Sequence, residues 1–158
     1  MSFSQAEIMA LAGKAARGGG APPAQAALFG RAVVAHLAAV RDENDLFYAL
    51  DALPNGPIID FPAAMSEIVA AGGKGSVPSE MPGELFGSYV DVLPFAATIN
   101  LGEVEIKLDR PTAPKEPVRL NPSDKLRAQM ARLAEMTFVP ESDASRESGA
   151  GAGMIDND

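Results

Sequence analysis

The sequence predicts an α+β fold, and three observations carry the prediction. Helical spacing of apolar residues runs through most of residues 1–73. Strict alternation of apolar and charged residues falls at 103–108, where Val104, Ile106 and Leu108 interleave with Glu103, Glu105 and Lys107. A second helical pattern follows Asn121-Pro122, so a small antiparallel hairpin or sheet is framed by helices on both sides. A chain of 158 residues suits one domain, dividing into a mainly helical part (1–73), a strand and extended part (88–120), a helix (121–139) and a tail folding back (140–158).

Ser4 with Glu7 three positions later spells a capping box, and Phe3 before the cap faces Ile8 as a hydrophobic staple. Ile8, Leu11, Ala12 and Ala15 continue that helix, which Gly18-Gly19-Gly20 stops. Pro22 and Pro23 open a second helix expected to reach about Arg41. Gln25, Arg31 and His36 are its clearly polar side chains, so it should be buried nearly all round. Its alanines and Gly30 permit close helix approach in an antiparallel hairpin. Leu46, Phe47, Leu50 and Leu53 mark a third helix, and Pro54-Asn55-Gly56-Pro57 a turn. Ile58 and Ile59 read as a short link before a fourth helix with Pro62 in its first turn, ending at Gly72-Gly73.

Residues 74–87 read as a loop anchored by Leu85 and Phe86, and Tyr89, Val90 and Val92 as strand-like until Pro94. Strands then flank a turn at Asn100-Leu101-Gly102. Pro111, Pro114 and Pro117 keep the chain extended to Leu120. Asn121 and Pro122 form an N-cap and first-turn pair for a helix carrying Leu126, Met130, Leu133 and Ala134, which Pro140 ends.

Composition narrows function mainly by exclusion. The net charge of −8 argues against general nucleic-acid binding, which needs a concentrated basic surface. The charge is uneven, at +3 over residues 1–41, −10 over 42–105 and −1 over the remainder. The acidic middle reads as a solvated surface or as a face for a cationic protein partner or neighbouring subunit. No cysteine is present, which removes disulfides and thiolate chemistry. Lys14 and Arg17 interrupt any secretory core, and no apolar run approaches membrane-spanning length, so a cytoplasmic protein without membrane partners is expected.

Candidate chemistry concentrates in the tail. Alternating Gly149, Gly151 and Gly153 permit positive φ and an amide nest for an anion, with Arg146 placed to hold a carboxylate or phosphate bidentately. Asp156 and Asp158 offer oxygen to a ligand, although they lack the donor series of a calcium loop, and no metal is assigned. Met154 and Ile155 are expected to bury and hold the glycines beside Arg146. His36, the single histidine, excludes a zinc site built on histidines and reads first as a buried, hydrogen-bonded group. Gly72-Gly73-Lys74-Gly75-Ser76 fails as a phosphate loop, because Gly75 stands where Ser or Thr is required and Ile68 where the first Gly is.

Lys14-Ala15-Ala16-Arg17-Gly18 within residues 1–40, together with Thr137-Phe138-Val139-Pro140, Ser145-Arg146, Gly149-Ala150-Gly151-Ala152-Gly153 and Asp156-Asn157-Asp158, resemble an uncharacterised bacterial family of unknown function. The resemblance does not extend to residues 42–120. It implies that the tail belongs to the protein proper and implies no catalytic roles. The leading expectation is a small-molecule, anion-binding or accessory protein with a site at Arg146 and the tail, in a chain able to form a homo-oligomer. An enzyme using His36 or a tail carboxylate for proton transfer is the alternative, and a structural partner of a larger protein the third reading. No cofactor is assigned.

Overall fold

A computed structural model gives the architecture, and the structure describes residues 1–78 and 82–137. These form an α+β fold with helices α1 (Gln5–Gly18), α2 (Pro23–Ala38), α3 (Asn44–Asp51), α4 (Pro57–Ala70), α5 (Gly83–Val92) and α6 (Asp124–Glu135), and strands β1 (Lys74–Ser76), β2 (Phe95–Asn100) and β3 (Glu103–Pro111).

Helix α1 begins at the capping box, where Ser4 Oγ accepts from Glu7 N and Glu7 Oε2 accepts from Ser4 N at 2.7 Å. These bonds to Ser4 hold the Glu7 carboxyl below its ordinary range, because they favour the charged form. Phe3 leaves the cap to bridge Leu120 through paired backbone bonds of 2.8 and 2.9 Å, tying the start of the chain to the approach of α6.

Helix α2 is the hub, contacting α1, α4 and α5. Ala26, Phe29, Gly30, Ala32, Val33, Val34 and His36 are all buried along it. Gly30 lies so close to α1 that a Cβ there would stand 2.6 Å from the Met9 carbonyl oxygen. Gly13 of α1 faces Ala26 in turn, so the pair runs antiparallel as the sequence predicts. Helix α6 covers another side of α1, with Gly18 against the Leu133 carbonyl.

Several boundaries differ from the sequence expectation, each for a physical reason. Helix α2 stops at Ala38 rather than near Arg41, because Val40 turns left-handed (φ 54°) and Arg41 N closes back on His36 O at 3.1 Å. Helix α4 starts at Pro57, which makes Ile58 and Ile59 helical and leaves Pro62 inside. Burial of Ile58, Phe61, Pro62, Met65 and Ile68 along one face outweighs the backbone bond that Pro62 cannot donate. Residues 74–76 are a strand rather than loop. The stretch expected as strand at Tyr89–Val92 is the second half of α5, because Leu85, Phe86, Tyr89 and Val90 bury one helical stripe, and packing overrides β propensity. Helix α6 is capped by Ser123 rather than Asn121: Ser123 Oγ accepts from Leu126 N at 3.1 Å while Ser123 N donates to Glu43 Oε1 at 2.8 Å.

The sheet is antiparallel with order β1-β3-β2. Leu101 (φ 49°) and Gly102 (φ 81°) form the two-residue turn between β2 and β3, the mirror-image type whose twist suits a hairpin. Val104 and Ile106 point inward onto the helices, while Glu103, Glu105, Thr98 and Asn100 are exposed. From Thr112 to Arg119 the chain is an exposed strap. No described helix is long and apolar enough to cross a membrane.

Gly30→Ala should destabilise the fold by about 1–3 kcal/mol, because the new methyl meets backbone rather than a movable side chain. Gly13→Ala should be neutral or stabilising, since its Cβ would sit at an ordinary 3.6 Å from Ala26 O. Urea unfolding of the two variants checks the opposite signs.

Candidate functional site

The polar residues of α2 lead to two adjacent features, one closed and one open. The closed feature centres on His36 and Ser88, both fully buried. His36 Nε2 lies 2.8 Å from the backbone carbonyl of Asp42, which can only accept, so Nε2 carries a proton. Nδ1 lies 2.9 Å from the Ser88 hydroxyl, whose single proton also has the Glu84 carbonyl within reach at 3.1 Å. Arg41 Nη1 donates to the same hydroxyl at 2.8 Å, and its Nη2 pairs with Asp91 at 2.8 Å. Around this core Asp42 N donates to Glu84 Oε2 at 3.0 Å, and Leu85 N, in the first turn of α5, donates to Asp45 Oδ2 at 3.0 Å. Asn44 donates from backbone and side chain to the Asp42 carboxylate, which holds its pKa below the ordinary range.

The effect is a buckle joining the end of α2, the following turn and α3 to α5. Both nitrogens of His36 are engaged and neither it nor Ser88 is open to solvent, so this Ser and His pair braces the fold and presents no nucleophile.

The open feature lies on the neighbouring face of α2, around Arg31. Two cavities, of about 590 and 440 Å³, share Arg31, Val92, Leu93 and Pro94 as a common wall. The larger runs between α1, α2 and the strap, and carries Asp91, Lys115 and Glu116 among its lining groups. The smaller is set between α2, α4 and α5, lined by Leu28, Met65, Val69 and Tyr89, with Arg31 as its single charged residue. Ser66 lines it as well, but its hydroxyl is committed to Pro62 O at 3.0 Å.

Arg31 is exposed, and its Nη2 donates to Val92 O at a long 3.4 Å, the cation standing at the negative end of α5. Among the described residues no carboxylate pairs with it, since Asp91 is taken by Arg41. Tyr89 is 4% exposed and its ring meets Phe61 edge-on at 5.7 Å, but its hydroxyl finds no hydrogen-bond partner among the described residues. Burial pushes the phenol pKa well up, so the group remains an O–H donor.

Comparison of the chain with protein-family models, with curated proteins and with solved structures finds no match. Among the sequence-predicted site residues, His36 stands in the closed buckle. Arg146, Gly149, Gly151, Gly153, Asp156 and Asp158, together with the expected burial of Met154 and Ile155, lie outside the described residues. Arg31 and Tyr89 are candidate site residues that the sequence reading missed. For Arg31 a signal existed, as the one charge between Ala24 and Val40 in an otherwise apolar helix. Tyr89 had none, because its place depends on α5 being helical.

Ser88→Ala should cost about 1–3 kcal/mol in chemical denaturation, since it leaves a buried imidazole nitrogen and a guanidinium donor without their shared partner. Val40→Gly should raise stability by about 1 kcal/mol in the same measurement, by relieving a β-branched residue from the left-handed region at a site 90% exposed.

Proposed function

We propose that this chain is a binding protein for an elongated organic anion, a molecule with an apolar body and one carboxylate or similar group. The observation that carries the reading is Arg31, an exposed guanidinium without a carboxylate partner among the described residues, on the wall shared by two cavities. The smaller cavity is within the usual size of small-molecule sites, and its apolar lining with few polar groups is their usual chemistry. Arg31 supplies planar, bidentate recognition of an anionic group, and α4 and α5 supply the apolar walls. The Tyr89 hydroxyl supplies a second donor once a bound acceptor displaces the side chains that cover it. An accessory or carrier role follows more naturally than catalysis, because the groove gathers donors and apolar surface but no nucleophile and base in hydrogen-bond reach. The anion-binding corner read from the sequence at Arg146 and the tail glycines is a separate proposal for the same ligand class, and the same experiment distinguishes it.

The test is a thermal-shift and calorimetric titration with medium-chain carboxylates, using the matching alcohols as uncharged controls. The carboxylates should stabilise the protein and the alcohols should do so far less. Arg31→Gln should weaken carboxylate binding by about tenfold or more, the effect of one charge-assisted pair. Tyr89→Phe should leave the unliganded protein as stable or slightly more stable, because it removes a buried hydroxyl without a partner among the described residues, and should bind the carboxylate less tightly. Binding that survives Arg31→Gln unchanged refutes the groove. Binding lost in Arg146→Gln instead moves the site to the tail.

A further inference from the structure

The two edges of the sheet are protected very differently. On one side β1 is three residues long, and the part of β3 that extends past it carries Lys107, Asp109 and Arg110, charges that discourage a further strand. The opposite edge is β2, Phe-Ala-Ala-Thr-Ile-Asn, with no charged residue and with Ile99 41% exposed. A register irregularity between Phe95 and Ala96 removes its first residue from regular pairing, leaving 96–100 as a plain edge. Among the described residues, no group outside β3 forms a hydrogen bond with the backbone of 96–100.

The register states which groups that edge presents. Asn100 and Glu103 flank the two-residue turn and form a hydrogen-bonded pair, as do Thr98 with Glu105 and Ala96 with Lys107. Ala97 opposite Ile106 and Ile99 opposite Val104 are then the pairs that do not bond each other. Ile106 N accordingly donates away from β2, to Gly73 O at 2.6 Å. The N–H and C=O groups of Ala97 and Ile99 therefore point outward from the sheet.

We infer that β2 is a self-association edge, on which a second copy of this chain pairs its own β2 antiparallel about a twofold axis through Thr98. In that register Ala97 of one copy lies opposite Ile99 of the other, and each such pair exchanges both outward main-chain bonds. Thr98 meets Thr98 across the axis on the solvent face, a favourable cross-strand pair. The inner face sets alanine against isoleucine, and no charge opposes a like charge within the edge. This matters in a chain of net charge −8, whose copies repel over most of their surface. The result is one continuous sheet across two copies. Its small contact makes a weak, concentration-dependent dimer. None of the groove residues around Arg31 takes part, so the inference stands apart from the proposed ligand site.

Sedimentation equilibrium of the full chain over a wide concentration range tests it. The wild type should show a monomer–dimer equilibrium. Thr98→Lys, an exposed change that places lysine beside Glu105 within its own sheet, should raise the dimer dissociation constant by at least about tenfold, because two lysines then face each other at the axis. Thr98→Glu should also dissociate, and an equimolar mixture of the two variants should associate at least as well as wild type, with circular dichroism establishing that each is folded. A wild type that stays monomeric to about 1 mM overturns the inference, as does a dimer indifferent to Thr98→Lys. Folded single variants that dissociate but do not re-associate when mixed overturn the twofold register.

Discussion

The distance between α1 and α2 is set by the absence of a side chain. At Gly30 the α2 backbone approaches Met9 O so closely that no Cβ fits between them, and the rest of the helical layer is arranged around that contact. With α1 seated there, one side of α2 is closed, and α4 and α5 close most of the remainder. Helix α2 can therefore be apolar nearly all round, and its few polar side chains must each find an individual solution. His36 finds one inside the protein, between Ser88 and the Asp42 carbonyl. Arg31, beside Gly30, is left exposed on the wall shared by two cavities.

These two solutions divide the molecule into a braced part and an open part. The buckle of His36, Ser88, Arg41 and Asp91 satisfies its polar atoms almost completely at zero exposure of its central pair, the condition under which a buried network stabilises and specifies a packing. Around Arg31 the opposite holds: a guanidinium with one long bond to a helix-end carbonyl, a phenol without a partner among the described residues, and apolar walls from α4 and α5. Buried polar groups ordinarily find partners, and within this one set of contacting helices the buckle follows that rule while the Tyr89 hydroxyl departs from it among the described residues.

Much of the fold was legible locally. The Ser4 and Glu7 capping box, the alanine and glycine faces of the first two helices, the Leu101-Gly102 turn and the inward set of Val104 and Ile106 depend on residues close in sequence, and each is present in the structure. The two stretches misread around α4 and α5 share one cause. Pro62 and the β-branched Val90 and Val92 signal against helix, and burial of Phe61, Met65, Phe86 and Tyr89 against distant partners outweighs that signal. Asn121 yielded the cap of α6 to Ser123 because Glu43, far away in the chain, holds Ser123 in place.

By itself the sequence determined the fold class, the helical pair, the hairpin and its inward face, and the lack of cysteine chemistry, since these follow from periodicity, turn residues and composition. Only the tertiary structure decided that α5 is a helix, that His36 is enclosed, and that Arg31 and Tyr89 share a cavity wall. Those outcomes depend on which surfaces meet once α2 is buried, and local propensity, worth at most about 1 kcal/mol per residue for non-proline positions, is too weak to specify such meetings.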